Sequence, residues 1–426
     1  MLHQSVSLGV TILLLVGALP AQVAASGQDE PSGSARYTFT TILDSQRDGL
    51  DVDRCPALNT VGTVAVTVID LVLGGRKIIT KRSAIDTPVV IAETASVADF
   101  PTTCDNGFSA LPSDPSINEL GEVAFQGNLR RVNLASRPNC ATPEQRDTPR
   151  QGVFLGNGGP LTTIAHSINQ PGGNFISEFL VADQSANTSG QVALVPELDQ
   201  NFDHGLFVGS RNGTFDRRFL VDRPAPGGFN FNNLSSRVSL NEVGQVAFES
   251  GLNNSNVGGI FLSSPSGPIM TIVDNRDGLA TGDPSLNIFG TVAFTGDRFD
   301  ENFNQIFSIN TSRGDGVTTI AESSPGGYQF FQEPSLNDLG RVVFTADVQP
   351  DPDVFDTIQG VFTGPDPVAD KVLQVGDLYE GVPVTGVRTC AEALNNFGQI
   401  VMIVFSQDPD TFETREFVVR ATPRAQ

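Results

Sequence analysis

Tryptophan is absent from this 426-residue sequence, and tyrosine and histidine occur three times each. Sugar-stacking sites and protein hot spots lean on Trp and Tyr, so a lectin-like surface is disfavoured. Beyond the N-terminal leader described below, the histidines are His166 and His204 alone, 38 residues apart. That argues against a Ser-His-Asp relay or a histidine-rich zinc cage. Basic residues are also few: 26 Lys and Arg stand against 48 Asp and Glu, a net charge of −22. The balance disfavours nucleic acid and anionic membrane surfaces as partners and favours solubility, cations or basic partners. No segment holds an apolar 3.6-residue period over three turns. No Cys-x-x-Cys pair, phosphate loop or dinucleotide fingerprint is present.

The N-terminus is better read as a targeting segment than as structure. Residues 1–25 contain no Asp, Glu, Lys or Arg, run apolar from Val6 to Leu19, and end small at Val23, Ala24 and Ala25 before a polar stretch. This is the layout of a secretory signal peptide cut after Ala25. The alternative, a membrane anchor, needs about 20 apolar residues. The C-terminus, Thr422 to Gln426, carries no hydrophobic tail or sorting motif. A secreted or periplasmic protein without a transmembrane segment is expected.

What is plentiful is glycine (43), proline (27) and phenylalanine (29), too much Gly and Pro for a helical protein. A mature chain of this length exceeds the single-core limit of roughly 250–300 residues, so it must be several domains or a repeat array. One motif, Asn-x-x-Gly followed by an apolar run, recurs seven times, beginning at Asn59, Asn118, Asn187, Asn241, Asn287, Asn337 and Asn395. Its glycines are Gly62, Gly121, Gly190, Gly244, Gly290, Gly340 and Gly398, and the spacings are 59, 69, 54, 46, 50 and 58 residues.

Asn at the first position and Gly at the fourth suit a tight type I turn: the Asn side chain accepts from the turn backbone and Gly supplies a positive φ. The motif therefore joins two antiparallel strands. A third strand opens Gly-Val/Ile-Phe (Gly152, Gly259, Gly360), a fourth ends apolar then charged, and Pro-Gly-Gly connections lead onward. Four short strands in 46–69 residues make one propeller blade. The chain opens with a fourth-type strand, 37–43, and closes with a third-type strand, 415–420, that lacks a successor. An all-β, seven-bladed β-propeller results, closed by the N-terminal strand completing the last blade, with no open edges left. A linear solenoid or a string of sandwiches is the alternative. The expected boundaries are a signal peptide at 1–25, a disordered segment at 26–35, the propeller at 36–422 and a tail at 423–426.

These repeats resemble the bacterial NxxGxxAF tandem-repeat proteins, exported proteins often tethered by a C-terminal anchor. The resemblance covers nearly the whole mature chain. It implies repeats and export, and it brings no assigned reaction. This sequence departs from the pattern in carrying no recognisable anchor, which implies a released or periplasmic form.

Aligning the repeats places polar groups in register. Four residues before each turn Asn stand Cys55, Asp114, Asp183, Arg237, Asp283, Glu333 and Ala391; two before it stand Ala57, Ser116, Ser185, Ser239, Ser285, Ser335 and Ala393. Both positions face one way on a strand, so they should ring the central channel. Asp114, Asp183, Asp283 and Glu333 are candidate ligands for Ca²⁺, a hard cation that suits clustered carboxylates. The structural alternative is that each acid hydrogen-bonds the neighbouring blade's backbone. A second register, Asp44, Glu93, His166, Asp222, Asp274 and Glu322, ends the fourth strands and reads as solvated turn chemistry. A long insertion after Gly127 concentrates Arg130, Arg131, Arg137, Arg146 and Arg150. With Arg237, the first three are candidates for binding an anionic group. The expected function is an exported binding or surface-structural module without catalysis, monomeric, for an unidentified small molecule, cation or protein. Its rival is a Ca²⁺-dependent hydrolase or lactonase with Glu333 or His166 as acid/base. The four cysteines of an exported chain should pair. Topology selects Cys104–Cys140 within blade two and, if the ring closes, Cys55–Cys390 across the seam.

Overall fold

The computed structural model describes residues 36–94, 107–129, 151–166, 175–179, 185–198, 204–253, 258–277, 279–351, 356–408 and 411–425. The expected signal peptide, the segment 26–35, Asp183, Cys104, Cys140 and the five loop arginines lie outside the described residues.

Among the described residues seven antiparallel blades follow one another along the chain, the third accompanied by a separate two-stranded sheet that pairs Phe175–Phe179 with Pro196–Leu198. The fourth is representative: Phe231–Leu240 pairs with Val246–Leu252, then Gly258–Ser263, then Met270–Asp274. In the second and third strands of each blade, β-branched and aromatic residues alternate across both faces. Only two short helical turns, Ser45–Asp48 and Asn275–Asp277, interrupt the strands among the described residues. The seventh sheet is ordered Tyr37–Asp44, Thr414–Pro423, Ile400–Gln407, Val382–Arg388, Leu378–Tyr379. The N-terminal strand thus supplies the outer strand of the last blade, paired from Tyr37 opposite Pro423 to Asp44 opposite Phe417 with a register shift between Thr41 and Leu43. The architecture is a seven-bladed β-propeller closed by its first strand.

The core lies in the wedges between blades. The motif's last residue is Phe125, Phe248, Phe294 or Phe344 in four repeats, and each of these rings is 0 % exposed. One cluster, running from Ile42 and Leu43 through Val64 and Val401 to Phe417 and Val343, spans blades six, seven and one across the closure. Burial of aromatic and branched side chains on both faces of each sheet is what holds neighbouring blades together.

All seven Asn-x-x-Gly turns form as the sequence implies. The glycines have φ between 75° and 80°, and each Gly N–H donates to its Asn carbonyl, as Gly62 does to Asn59 at 3.0 Å. The Asn Oδ1 accepts from the N–H four residues on, at 2.9–3.0 Å in every repeat. This is a type I turn followed by a left-handed residue.

Two members of the fourth-strand register depart from the solvated role expected of them. Asp44 and Asp274 are buried, because an arginine closes over each: Arg415 reaches Asp44 at 2.5 Å and Arg276 covers Asp274. Glu93, Asp222 and Glu322 are exposed as expected.

Candidate functional site: the central channel

The inner strands approach the propeller axis and bend before each turn. In blade five the register slips between Gly282 and Ser285, and Asp283 sits there with φ 55°. Asp tolerates this left-handed geometry better than most residues. The slip turns the side chain four residues before the Asn into the channel. Asp114, Arg237, Asp283 and Glu333 therefore line one small chamber of about 40 Å³ with Cys55, Cys390 and Glu392.

Within that chamber one guanidinium faces several carboxylates. Arg237 ion-pairs with Asp283 at 2.7 Å and with Glu333. Asp114 accepts from the backbone N–H of Cys55, in the preceding blade, at 3.1 Å. Burial pushes the carboxyls of Asp114 and Glu333 above their ordinary values, against the pull of Arg237. Glu249, on the second strand of blade four, is raised likewise by burial and by the charge of Asp283. Among the described residues no three His, Cys, Asp or Glu side chains converge as a metal cage. Asp114, Asp283 and Glu333 therefore form no three-ligand set for the expected Ca²⁺ among the described residues, and Asp183, the fourth expected ligand, lies outside them. The Arg237 guanidinium, on the same register, supplies the counter-charge to Asp283 and Glu333. Arg237, expected as an anion ligand, is that internal partner.

The expected Cys55–Cys390 disulfide is present, with Cα atoms 5.9 Å apart and a sequence separation of 335. It joins the inner strands of blades one and seven at the chamber wall.

Below this chamber the channel is lined by tiers of hydrogen bonds that run from blade to blade. In the first, the hydroxyl two residues before the Asn accepts the next blade's backbone N–H. Ala186 donates to Ser116, Leu240 to Ser185, Leu286 to Ser239, Leu336 to Ser285 and Leu394 to Ser335, all at 3.0–3.1 Å. Repeats one and seven carry Ala57 and Ala393 there and have no hydroxyl to offer. Glu392 replaces both: its carbonyl accepts from Leu58 at 3.0 Å and its Oε2 from Ile117 at 3.3 Å. A buried N–H left without an acceptor costs about 1–3 kcal/mol, which explains why one acid spans two gaps. Its Oε1 also accepts from the Ser116 hydroxyl at 2.8 Å and the Ser185 hydroxyl at 3.3 Å.

In the second tier each turn Asn donates its Nδ2 to the carbonyl of the next Asn. The bonds run 59 to 118, 118 to 187, 187 to 241, 241 to 287, 287 to 337 and 337 to 395, at 3.0–3.3 Å. Asn395 then donates to Asn59 at 3.0 Å and closes the circle.

Between the tiers is a second chamber of about 150 Å³. Its walls are the leucines and Ile117 of the inner strands, the hydroxyls of Ser185, Ser239, Ser285 and Ser335, and the carboxylates of Glu119, Glu242 and Glu392. No lysine or arginine lines it among the described residues. After accepting one N–H, a seryl oxygen still has a lone pair. The chamber therefore presents oxygen acceptors and negative charge to a donor-rich or cationic group.

The sequence alignment missed Glu392 and Glu249. For Glu392 a signal existed: it occupies the register where Pro56, Pro115, Pro284 and Pro334 stand, between two alanines that break the acid and serine columns. Glu249 carries no such signal, because it belongs to the second strand. His166, offered with Glu333 as an acid/base, ends the outer strand of blade two (Thr162–His166), whereas Glu333 precedes the inner strand of blade six. Burial lowers the His166 pKa.

A family model described as "Family of unknown function (DUF7453)" matches residues 139–417, more than half of the chain. No curated protein matches the sequence. Among solved structures, an oligogalacturonate lyase from Vibrio parahaemolyticus is similar with a TM-score of 0.50 at 9 % identity, covering 91 % of this chain and 97 % of that one. A prolyl endopeptidase is similar with a TM-score of 0.45 at 10 % identity, over 89 % of this chain and 51 % of that one. A protein of unknown function from Dyadobacter fermentans gives 0.38 at 10 % identity, over 78 % and 100 %. At 9 % identity the likeness to the lyase shows the fold alone.

Proposed function

The chain belongs to this family of unknown function, and from that premise we propose that it is an exported, non-catalytic binding module whose turn-side chamber takes a positively charged group. The observation that carries the reading is the Glu392 carboxylate, set inside a ring of seryl oxygens and joined by Glu119 and Glu242. The leucine walls accommodate an alkyl stem, so an alkylammonium or alkylguanidinium is the matching chemistry. Export is supported by the signal-like N-terminus and by a structural disulfide, which persists in oxidising compartments. No helix among the described residues is long and apolar enough to cross a membrane. The non-catalytic part is supported by the placement of the two hydrolytic candidates: Glu333 is engaged by Arg237, and His166 sits at the rim of another blade.

The test is saturation-transfer NMR with n-butylguanidinium and n-butylammonium. Both should bind the wild type at millimolar affinity, about 4 kcal/mol, and lose most of it in Glu392→Gln. Glutamine keeps an acceptor for Ile117 N–H, so the melting temperature should hold. Equal binding by the variant removes the chamber from the account.

A further inference from the structure

The second central residue of each Asn-x-x-Gly turn is almost always apolar and is never buried. Val61, Leu120, Val243, Phe289, Leu339 and Phe397 stand there, between 55 % and 70 % exposed. Only the third repeat differs, with Ser189, which is also exposed. Tight turns favour Asn, Asp, Ser and Gly at their centres, and the fold gains nothing from an exposed phenylalanine. Lone surface hydrophobes are ordinary, whereas a contiguous apolar patch marks an interaction site. The closed circle of Asn bonds holds all seven turns at one height around the channel mouth, so these six side chains form an annulus.

Charge is arranged concentrically with it. One residue earlier in the turns stand Glu119 and Glu242, which line the channel chamber, and Asp338. Each accepts from the preceding turn's backbone: Thr60, Thr188 and Ile288 donate at 2.9–3.1 Å. Outside are arginines carried on the third and fourth strands or the hairpins between them: Arg211, which also pairs with Glu122, and Arg313 are exposed, Arg420 is half-buried, and the Arg218 side chain is buried. Arg313 donates to the Phe289 carbonyl at 2.7 Å, Arg420 to Gly62 at 2.5 Å, Arg218 to Gly244 at 3.2 Å and Arg211 to Thr188 at 3.4 Å. These bonds brace the turns, so the annulus is organised before a partner arrives.

We propose that this face docks a protein segment that presents one basic side chain at the tip of an apolar loop or chain end, with acidic residues around it. The basic tip enters the channel mouth, the apolar collar covers the annulus and the acidic perimeter meets the exposed Arg211 and Arg313. The charge pattern selects this occupant. An anionic bilayer would set its headgroups against the inner acids and a net charge of −22. A second copy stacked face to face would oppose acid to acid and arginine to arginine. The basic tip rests on the chamber reading given above; the annulus does not.

Peptides displayed on phage and selected against the intact chain test the proposal. Enriched sequences should carry a single Lys or Arg flanked by aliphatic or aromatic residues. The triple change Phe289→Ser, Leu339→Ser and Phe397→Ser copies what Ser189 already tolerates, so it should leave the melting temperature unchanged. It should weaken the selected peptides about tenfold or more while butylguanidinium still binds. Peptide binding indifferent to the serine variant overturns the docking face, as do enriched peptides without a basic residue. A wild-type dimer that the serine variant dissociates, or adsorption to phosphatidylglycerol vesicles that it abolishes, assigns the face to another occupant and overturns the proposal equally. Failure of the chamber reading shows separately, as wild-type protein that does not bind butylguanidinium.

Discussion

The double change Ile42→Ala with Leu43→Ala probes ring closure most directly. Both side chains are 0 % exposed and belong to the cluster that joins blades six, seven and one, although they sit a few residues from the first described position. Truncating a buried Ile or Leu to Ala costs about 2–5 kcal/mol, so the pair should cost about 4–10 kcal/mol. Total stability of a domain is about 5–15 kcal/mol, which makes a near-terminal change comparable with the whole. With an unfolding entropy of about 2.1 cal/mol/K per residue over about 390 residues, the melting temperature should fall by about 5–12 °C. The disulfide bears on the same seam. Crosslinking a loop of 335 residues is worth up to about 6 kcal/mol in the chain-entropy model, and measured gains often fall short. Joining Cys55→Ala and Cys390→Ala to the strand change should therefore cost more than the two separate losses added together, because each holds the seam the other has lost. Calorimetry gives the melting temperatures, and hydrogen exchange of the amides in 414–423 locates the opening. A double-alanine protein that melts within about 1 °C of the wild type, with those amides still protected, refutes closure by the first strand.

Asn241→Asp should be disproportionately damaging for so small a change. It retains the acceptor for Gln245 N–H but sets a carboxylate oxygen against the Asn287 carbonyl and the Gln245 Oε1, which the amide now serves as donor at 3.0 and 2.9 Å. A loss of about 1–3 kcal/mol is expected; an unchanged urea midpoint would show that the Asn circle carries no stability. Glu249→Gln should raise the melting temperature at pH 7 and lose that advantage on acidification. Burial, then the charge of Asp283, raises the Glu249 carboxyl above its ordinary 4.5. A raised folded-state acid penalises the ionised form, so stability falls as pH rises from 4.5 through the folded value, and the penalty is absent below 4.5. Melts at pH 4 and pH 7 that shift equally would contradict this.

Much of the fold could be read from residues alone. The seven Asn-x-x-Gly turns are local devices: Asn accepts from its own backbone and Gly takes a φ near 77°, so spacing and identity suffice. The unmatched third-type strand at the C-terminus and the extra fourth-type strand at the N-terminus implied closure, and closure in turn brought Cys55 beside Cys390. Each of these follows from counting along the chain. The −4 register was equally legible as a ring, because strand periodicity determines which residues share a face.

Tertiary structure decided what those rings do. The alignment showed four carboxylates and one arginine in a column but not which would touch. The slip in blade five turned Asp283 toward Arg237, which ion-pairs with both Asp283 and Glu333. The role of Glu392 could not be inferred from its own repeat, since it serves N–H groups in blades one and two, hundreds of residues away in sequence. The Asn amide has two ends: its oxygen acts within four residues, where sequence spacing speaks, and its nitrogen acts on the next blade, where only the closed ring supplies a partner. Local hydrogen bonds are determined by sequence separation, whereas contacts across a channel depend on the curvature that seven packed blades impose together.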